Sequence, residues 1–466
     1  MDKQTYLKIL TEQIRCKKAL PLAAGELETH IEEQKTDYMA QGMPEPEAEE
    51  EAVRQMGDPV EVGIELDRLH RPKMAWGIIG GIVLLSLTGV CLLYVLQLHF
   101  KDQGIRFFPG QGSRNLLLYL LEITIGVGIM IGVCYIDYSR IGRYAKKIMA
   151  VYILFLIICK LGLGATINGT ADWIALPGGL NMTLSTMMFL TVPLYGAVLY
   201  QYRECGYRGI IAGILWMIVP VLFVLQIPRI FQALLLALSF LTVLSTAVLK
   251  GWFRVKKGLT LTVLWGTAIL VPFAEYAKIM LSGASYQKAR IYSMFPFLFH
   301  GNAETAIPGD YQSLTLRELT SGSQIMGISK TLEHTAKSLP DGMDFVLAYV
   351  LSYYGILAAL LLTGAVVSVF LKLFSVSIRQ KNQLGMLMGI GCTVIFLLQI
   401  LTYVMVNLGW MPVTSVYCPF ITYGGTGILV TYMMLGLLLS IYRHQNILAE
   451  PKPHITVHGT SDLTGI

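Results

Sequence analysis

One carboxylate stands where a reaction at a membrane edge can use it. Asp344 opens a long apolar run at the point where a polar loop meets it. A carboxylate there can take a proton from a weakly acidic hydroxyl or face an oxocarbenium-like transition state. Deeper in a bilayer the same group would be costly, so the edge is a plausible working place. Asp344 reads equally as a helix N-cap, because Asp readily accepts the free N–H groups of a first turn, and the two roles can coexist. Arg290 offers a guanidinium that holds phosphate oxygens bidentately and stabilises a leaving charge, or one that snorkels to headgroups. Lys288 and Lys330 carry the same pair of readings. Tyr311 and Gln312 can hydrogen-bond a sugar or peptide, or fold their own loop. Trp173 is an interfacial belt residue or part of a substrate groove. Tyr423-Gly424-Gly425 lets backbone approach a ligand or a neighbouring helix closely.

The elements that must hold these residues are membrane spans. Of the 466 residues 54% are hydrophobic and 14% charged, against about 25% charged in soluble domains. Mean hydropathy is +0.58. Apolar runs of the length a bilayer requires predict ten helices, near 75–97, 115–137, 148–165, 184–201, 209–226, 230–249, 258–282, 344–371, 385–409 and 422–442. Lys and Arg follow the even-numbered runs, as at Arg140, Arg143, Lys146 and Lys147, which predicts both termini in the cytoplasm. The loop 283–343 then faces outside. Its aromatic residues and the apolar spacing of Leu316, Leu319 and Ile325 predict a loop folded on the membrane surface.

Residues 1–73 differ in kind. They hold 16 of the 30 acids and 10 of the 36 bases, so this segment is net negative while the remainder is net positive. Helix-like spacing of Leu27, Ile31, Tyr38, Val53, Met56, Val62 and Leu66, broken at Gly42-Met43-Pro44 and Gly57-Asp58-Pro59, predicts three or four short helices. The segment resembles the small helical prefix domain of some bacterial permeases. It reads as a cytoplasmic docking module or as a solvated appendage. The reading is therefore all-α: a prefix domain at 1–73, a ten-span membrane domain at 74–445 and a cytoplasmic tail at 446–466. The seven cysteines show no metal spacing, and no metal site, Walker motif, dinucleotide fingerprint or Gly-x-Ser-x-Gly elbow is present. The modest excess of bases calls for no nucleic-acid partner. Few polar residues lie in the spans, chiefly Glu122, Lys160, Glu275 and Lys278, which argues against a transporter path.

Three segments, in order, resemble the SEDS family (shape, elongation, division and sporulation; FtsW/RodA/SpoVE-like). They are Ile167-Asn168-Gly169 with Trp173-Ile174, the loop from Arg290 through Gly309-Asp310-Tyr311-Gln312 to Leu339-Pro340 and Asp344-Phe345, and Gly409 with Pro412-Val413-Thr414 and Pro419-Phe420-Ile421-Thr422-Tyr423-Gly424-Gly425. The resemblance implies a ten-span fold and a peptidoglycan glycosyltransferase. Such an enzyme polymerises lipid II into undecaprenyl-linked glycan at the outer face, with Asp344 as base or electrostatic catalyst. It also implies a class B penicillin-binding protein as partner and a divalent cation as a cofactor to consider, while the prefix domain would take a cytoplasmic partner. The chain departs from the family pattern in several places. Ser352-Tyr353 stands for a Glu pair, Leu184 and Met187 for an acid and a base, Arg229 for an Asp, and Tyr403 for an Asn. These losses keep a second reading open, a non-catalytic scaffold or regulator of cell-wall synthesis.

Overall fold

The computed structural model describes the chain apart from residues 18–19, 70, 109–112, 168–169, 177–179, 228, 283–287, 289–310, 336–338, 340–341 and 446–466. It divides into two compact units, one built on Met1–Pro72 and one on Lys73–Gln380 with Leu384–Arg443.

The first unit has four helices: α1 (Lys3–Glu12), α2 (Leu20–Ala40), α3 (Glu45–Gln55) and α4 (Pro59–Leu69). Tyr6, Leu10, Ile14, Ile31, Ala52 and Val53 form its core. Gly42 and Gly57 take φ of +91° and +84°, a conformation that costs glycine little, and so turn the chain after α2 and α3. The last helix is tied back to the end of α1. The Asp67 carboxylate accepts from the Arg15 backbone N–H at 3.0 Å and from the Arg71 guanidinium at 2.6 and 3.0 Å.

The second unit is a multi-pass helical membrane domain. Its helices are α5 (Trp76–Phe100), α6 (Ser113–Tyr135), α7 (Tyr138–Arg143), α8 (Ala145–Leu163), α9 (Leu184–Met187), α10 (Thr191–Tyr200), α11 (Gly206–Leu225), α12 (Ile230–Leu249) and α13 (Lys257–Ser282). After these come α14 (Tyr311–Ser321), α15 (Leu332–Thr335), α16 (Val346–Tyr354), α17 (Ile356–Ile378), α18 (Gln383–Asn407) and α19 (Gly425–Arg443). Among the described residues, eight helices are long and apolar enough to cross a bilayer, and α8 with the Leu184–Tyr200 run occupies the remaining two expected positions. The core lies on α12, α18 and α19, where 67%, 78% and 78% of the spanning window is buried, against 12% on α13. Close approach in the core depends on small residues. A Cβ at Gly126 would strike the Tyr432 ring, and one at Gly436 would come to 2.6 Å from the Met130 carbonyl oxygen.

Two features depart from the sequence reading. The eighth expected span, 344–371, is not one helix: it breaks at Gly355, whose φ is +100° and ψ 175°. A three-stranded antiparallel sheet stands where no strand was predicted: β1 (Gly164–Ile167), β2 (Thr170–Leu176) and β3 (Leu180–Thr183). Strand alternation places Asp172 and Ile174 on the buried face and half-buried Trp173 on the other, opposite Ala165 and Thr183.

Candidate functional site

Asp344 precedes α16 and its side chain is exposed, whereas α16 is buried from Val346 to Ser352. A buried helix start needs partners for its first N–H groups. The N-cap is Phe345 and its side chain makes no cap bond. The caps come from α18 instead. The Tyr403 hydroxyl accepts from Leu347 N–H at 3.3 Å, and Asn407 Oδ1 accepts from Ala348 N–H at 3.1 Å. Asn407 Nδ2 donates to the carbonyls of Asp344 at 3.4 Å and Tyr403 at 3.0 Å. Tyr403 and Asn407 are four residues apart on one helix face, so a single face of α18 fixes the backbone that carries Asp344. Sequence reasoning missed both. Tyr403 was read only as a lost Asn, and capping across 59 residues of chain leaves no local signature.

The approach to Asp344 is built by the 105–108 loop. Gly342 N–H donates to the Arg106 carbonyl at 2.8 Å. Phe107 packs so closely on Gly342 that a Cβ there would meet its ring at 2.7 Å. The Phe107 ring lies 5.1 Å from that of Tyr349, and the Tyr349 hydroxyl donates to Leu339 O at 3.2 Å. Phe108 contacts a different group: its ring is 6.0 Å from Tyr119 and 6.1 Å from Tyr423. The Tyr423 hydroxyl donates to Glu122 Oε1 at 3.4 Å. Two successive phenylalanines thus connect the Asp344 segment to the Tyr423-Gly424-Gly425 segment.

The break at Gly355 is satisfied by the loop between α14 and α15. Ile356 and Leu357 N–H donate to Gln324 O and Ile325 O at 2.9 and 3.2 Å. Gly327 and Ser329 N–H donate to Tyr354 O and Ser352 O at 3.1 and 2.6 Å. A broken membrane helix is tolerated when protein supplies such partners. Ser352 is fully buried, and its hydroxyl donates to Leu319 O at 3.0 Å and Ala348 O at 2.8 Å. A glutamate at 352 would be buried within this packing. Beside α16 lies an apolar cavity of about 180 Å³, lined by Leu347, Leu351, Ala359, Leu360 and Leu408 among others.

The sheet carries a charge pair that the sequence did not reveal. Asp172 accepts from Ser185 N–H at 2.8 Å and Ser185 Oγ at 2.7 Å, and its carboxylate lies 3.1 Å from Arg229 Nε. The Asp172 side chain is 1% exposed and that of Arg229 17%. Arg229 also donates to Ser415 Oγ, and Gln232 Nε2 donates to Ser415 O at 2.8 Å. Thr183 N–H donates to Thr426 Oγ1 at 2.9 Å. The arginine read as a charge reversal therefore has its own acid, 57 residues earlier in the chain, and the pair ties the sheet to the segment ahead of α19.

The described contacts join the Tyr423-Gly424-Gly425 segment to the Asp344 segment through Phe107 and Phe108, and join the strand beside that of Trp173 to α19 through Thr183 and Thr426. Tyr311 and Gln312 open α14 with exposed side chains, and Lys330 is exposed; no described contact brings these three to Asp344. What α14 does contribute is close packing. Gly409, at φ +68°, lets the Ser313 carbonyl and the Arg317 N–H approach to 2.6 and 2.7 Å of where a Cβ would stand. Arg290 lies outside the described residues. Among the described residues no three His, Cys, Asp or Glu side chains gather as a metal site.

The sequence model of the FtsW, RodA and SpoVE family, described as cell cycle protein, matches residues 79–447. A probable peptidoglycan glycosyltransferase FtsW of Enterococcus hirae is 24% identical over 386 residues, covering 80% of this chain and 93% of that one. A putative peptidoglycan glycosyltransferase FtsW of Mesostigma viride is 27% identical over 304 residues, 63% of this chain and 68% of that one. Among solved structures, a chain from work on coordinated polymerization and crosslinking by a peptidoglycan synthase complex aligns with TM-score 0.61 at 20% identity, covering 80% of this chain and 98% of its own. The rod shape determining protein RodA of Thermus thermophilus aligns with TM-score 0.53 at 17% identity, covering 80% and 97%. At these identities the structural likeness speaks to the fold. The family match, which takes in the sheet, the Asp344 segment and the α19 signature alike, makes this chain a member of the FtsW, RodA and SpoVE family of cell cycle proteins.

Proposed function

We propose that this chain is a peptidoglycan glycosyltransferase that extends glycan strands from lipid II, with Asp344 as its base. In this reading a sugar hydroxyl of one lipid-linked unit attacks the anomeric carbon of the other. The bond from that carbon to the undecaprenyl pyrophosphate breaks, and the hydroxyl proton passes to the Asp344 carboxylate. A carboxylate also faces the positive charge that develops on the sugar. The observation that carries the reading is an exposed Asp344 whose backbone is fixed by Asn407 while its neighbours are buried. Relatives named as peptidoglycan glycosyltransferases across most of the chain support the same chemistry. The apolar cavity beside α16 suits a hydrocarbon part of a lipid-linked substrate. In this reading the Asp344 end faces outward from the bacterial cytoplasmic membrane, with both termini inside, which the distribution of Lys and Arg supports. A class B penicillin-binding protein cross-links the product, and the 1–73 domain docks a cytoplasmic partner.

The test is strand formation from lipid II by the purified protein, compared with Asp344→Ala. Strands from the wild type and none from the variant support the proposal. A second reading, a scaffold without catalysis, draws on the buried Ser352 at the position of the family's carboxylate pair. It is favoured if folded wild-type protein with its cross-linking partner makes no strands.

A further inference from the structure

We infer that Arg106 grips the phosphate of the lipid-linked substrate beside Asp344. This rests on the glycosyl-transfer reading above and names a contact for its leaving group. The 105–108 loop is apolar and buried except at this one residue: Ile105 is 2% exposed, Phe107 0% and Phe108 5%, whereas Arg106 is exposed. Its backbone is fixed on both sides by a single side chain of α5. Gln97 Nε2 donates to Ile105 O at 3.4 Å, and Gln97 Oε1 accepts from Phe107 N–H at 2.8 Å. The Arg106 carbonyl is itself occupied by Gly342 N–H at 2.8 Å, two residues before Asp344. Phe107 fills the space where Gly342 lacks a side chain, which locks the two segments together.

An exposed arginine on a mobile loop loses much freedom when it binds. An arginine whose peptide groups are already held loses only side-chain freedom, the preorganisation that raises affinity without a new contact. Among the described residues no carboxylate forms an ion pair with Arg106, although Asp102 lies four residues before it in the turn Lys101–Gln103. Its fork of donors matches the oxygens of a phosphate or pyrophosphate and can take two at once. Placed next to the proton acceptor, a guanidinium also stabilises the negative charge that appears on the departing pyrophosphate. Lys101, exposed at the end of α5, is the comparison cation: it is near in sequence, but its carbonyl accepts from Gly104 N–H and not from the Gly342 segment.

A phospholipid headgroup presents the same phosphate chemistry, so the experiment must separate the two sources. Binding of undecaprenyl pyrophosphate is measured for full-length protein in nanodiscs of phosphatidylcholine, and again with phosphatidylglycerol added. Wild type is compared with Arg106→Gln, Arg106→Lys and Lys101→Gln. The inference expects Arg106→Gln to weaken binding by roughly tenfold or more in both lipids, the scale of a lost charged hydrogen bond. Arg106→Lys should recover part of the loss, and Lys101→Gln should bind as wild type. Equal binding by wild type and Arg106→Gln overturns the inference. So does an absence of binding by the wild type, or a loss seen only with phosphatidylglycerol, which would make Arg106 a headgroup anchor. Because binding is read without turnover, failure of strand synthesis leaves this result standing. Normal synthesis with unchanged binding in Arg106→Gln would remove Arg106 alone.

Discussion

Asn407 holds the carbonyl of Asp344 with its amide nitrogen, and with its amide oxygen it caps the helix that Asp344 precedes. One side chain on α18 thereby sets both the position of the carboxylate-bearing residue and the stability of the buried helix behind it. Replacing it by Leu leaves the Ala348 N–H buried without an acceptor, at a cost of about 1–3 kcal/mol. The Asn407→Leu variant is expected to fold with a lowered melting temperature and to lose strand-forming rate by tenfold or more. The loss should fall on the turnover number rather than on the lipid II concentration needed for half-maximal rate. A variant with normal turnover would show that Asp344 is positioned by something else.

Asp172 is buried at the sheet, and the half-buried Arg229 that pairs with it reaches Ser415. Removing one member of such a pair leaves the other charge buried and costs about 3–5 kcal/mol, whereas neutralising both is far better tolerated. Thermal melts in detergent should rank Arg229→Gln well below the double variant Asp172→Asn with Arg229→Gln. Additive losses in the double variant would mean the two charges do not interact.

Gly355 breaks the eighth span at a φ of +100°, with Ile325 O 2.7 Å from where a Cβ would stand. Alanine there is strained in backbone and crowded against the loop that closes the break. Gly355→Ala should destabilise the protein and raise hydrogen exchange at Ile356 and Leu357, whose N–H groups are held by that loop. Unchanged protection at these amides would argue that the span can straighten.

In the N-terminal unit, the Arg71 guanidinium, ahead of every other influence, holds the Asp67 carboxyl below its usual range. A depressed folded value means the contribution is complete above the unfolded value near pH 3.9 and fades as pH falls through the folded one. Hydrogen exchange at α4 in the full-length protein should show Asp67→Asn less protected than wild type at pH 7. The difference should close only as pH drops below about 4, the unfolded value. A gap that closes between pH 5 and 7 would point to another group.

Much of this molecule was legible in its sequence. Hydrophobic runs placed ten span positions, and the Gly42 and Gly57 breaks marked the turns of the N-terminal helices. The break at Gly355 was not visible, because Tyr354-Gly355-Ile356 lies inside one continuous apolar run. Run length cannot distinguish one long helix from a short buried helix followed by a span. The sheet was missed for a related reason: the alternation in Asp172-Trp173-Ile174 is too short to mark a strand, and the partner of its acid, Arg229, lies 57 residues further along the chain. Asp344 was picked out by the family resemblance, with residue type and place beside it. The groups that fix it, Asn407, Tyr403 and Phe107, act through contacts distant in sequence, and neither periodicity nor composition records such contacts.

The measurement that bears most directly on the account is strand formation from lipid II by purified wild type and Asp344→Asn, with melting temperatures taken on the same samples. Asn matches the shape of Asp, so the backbone clamp from Asn407 should survive. The account predicts equal stability and a loss of polymerisation to background in the variant. Strand synthesis by Asp344→Asn at a rate near wild type would contradict a proton-accepting role for this carboxylate.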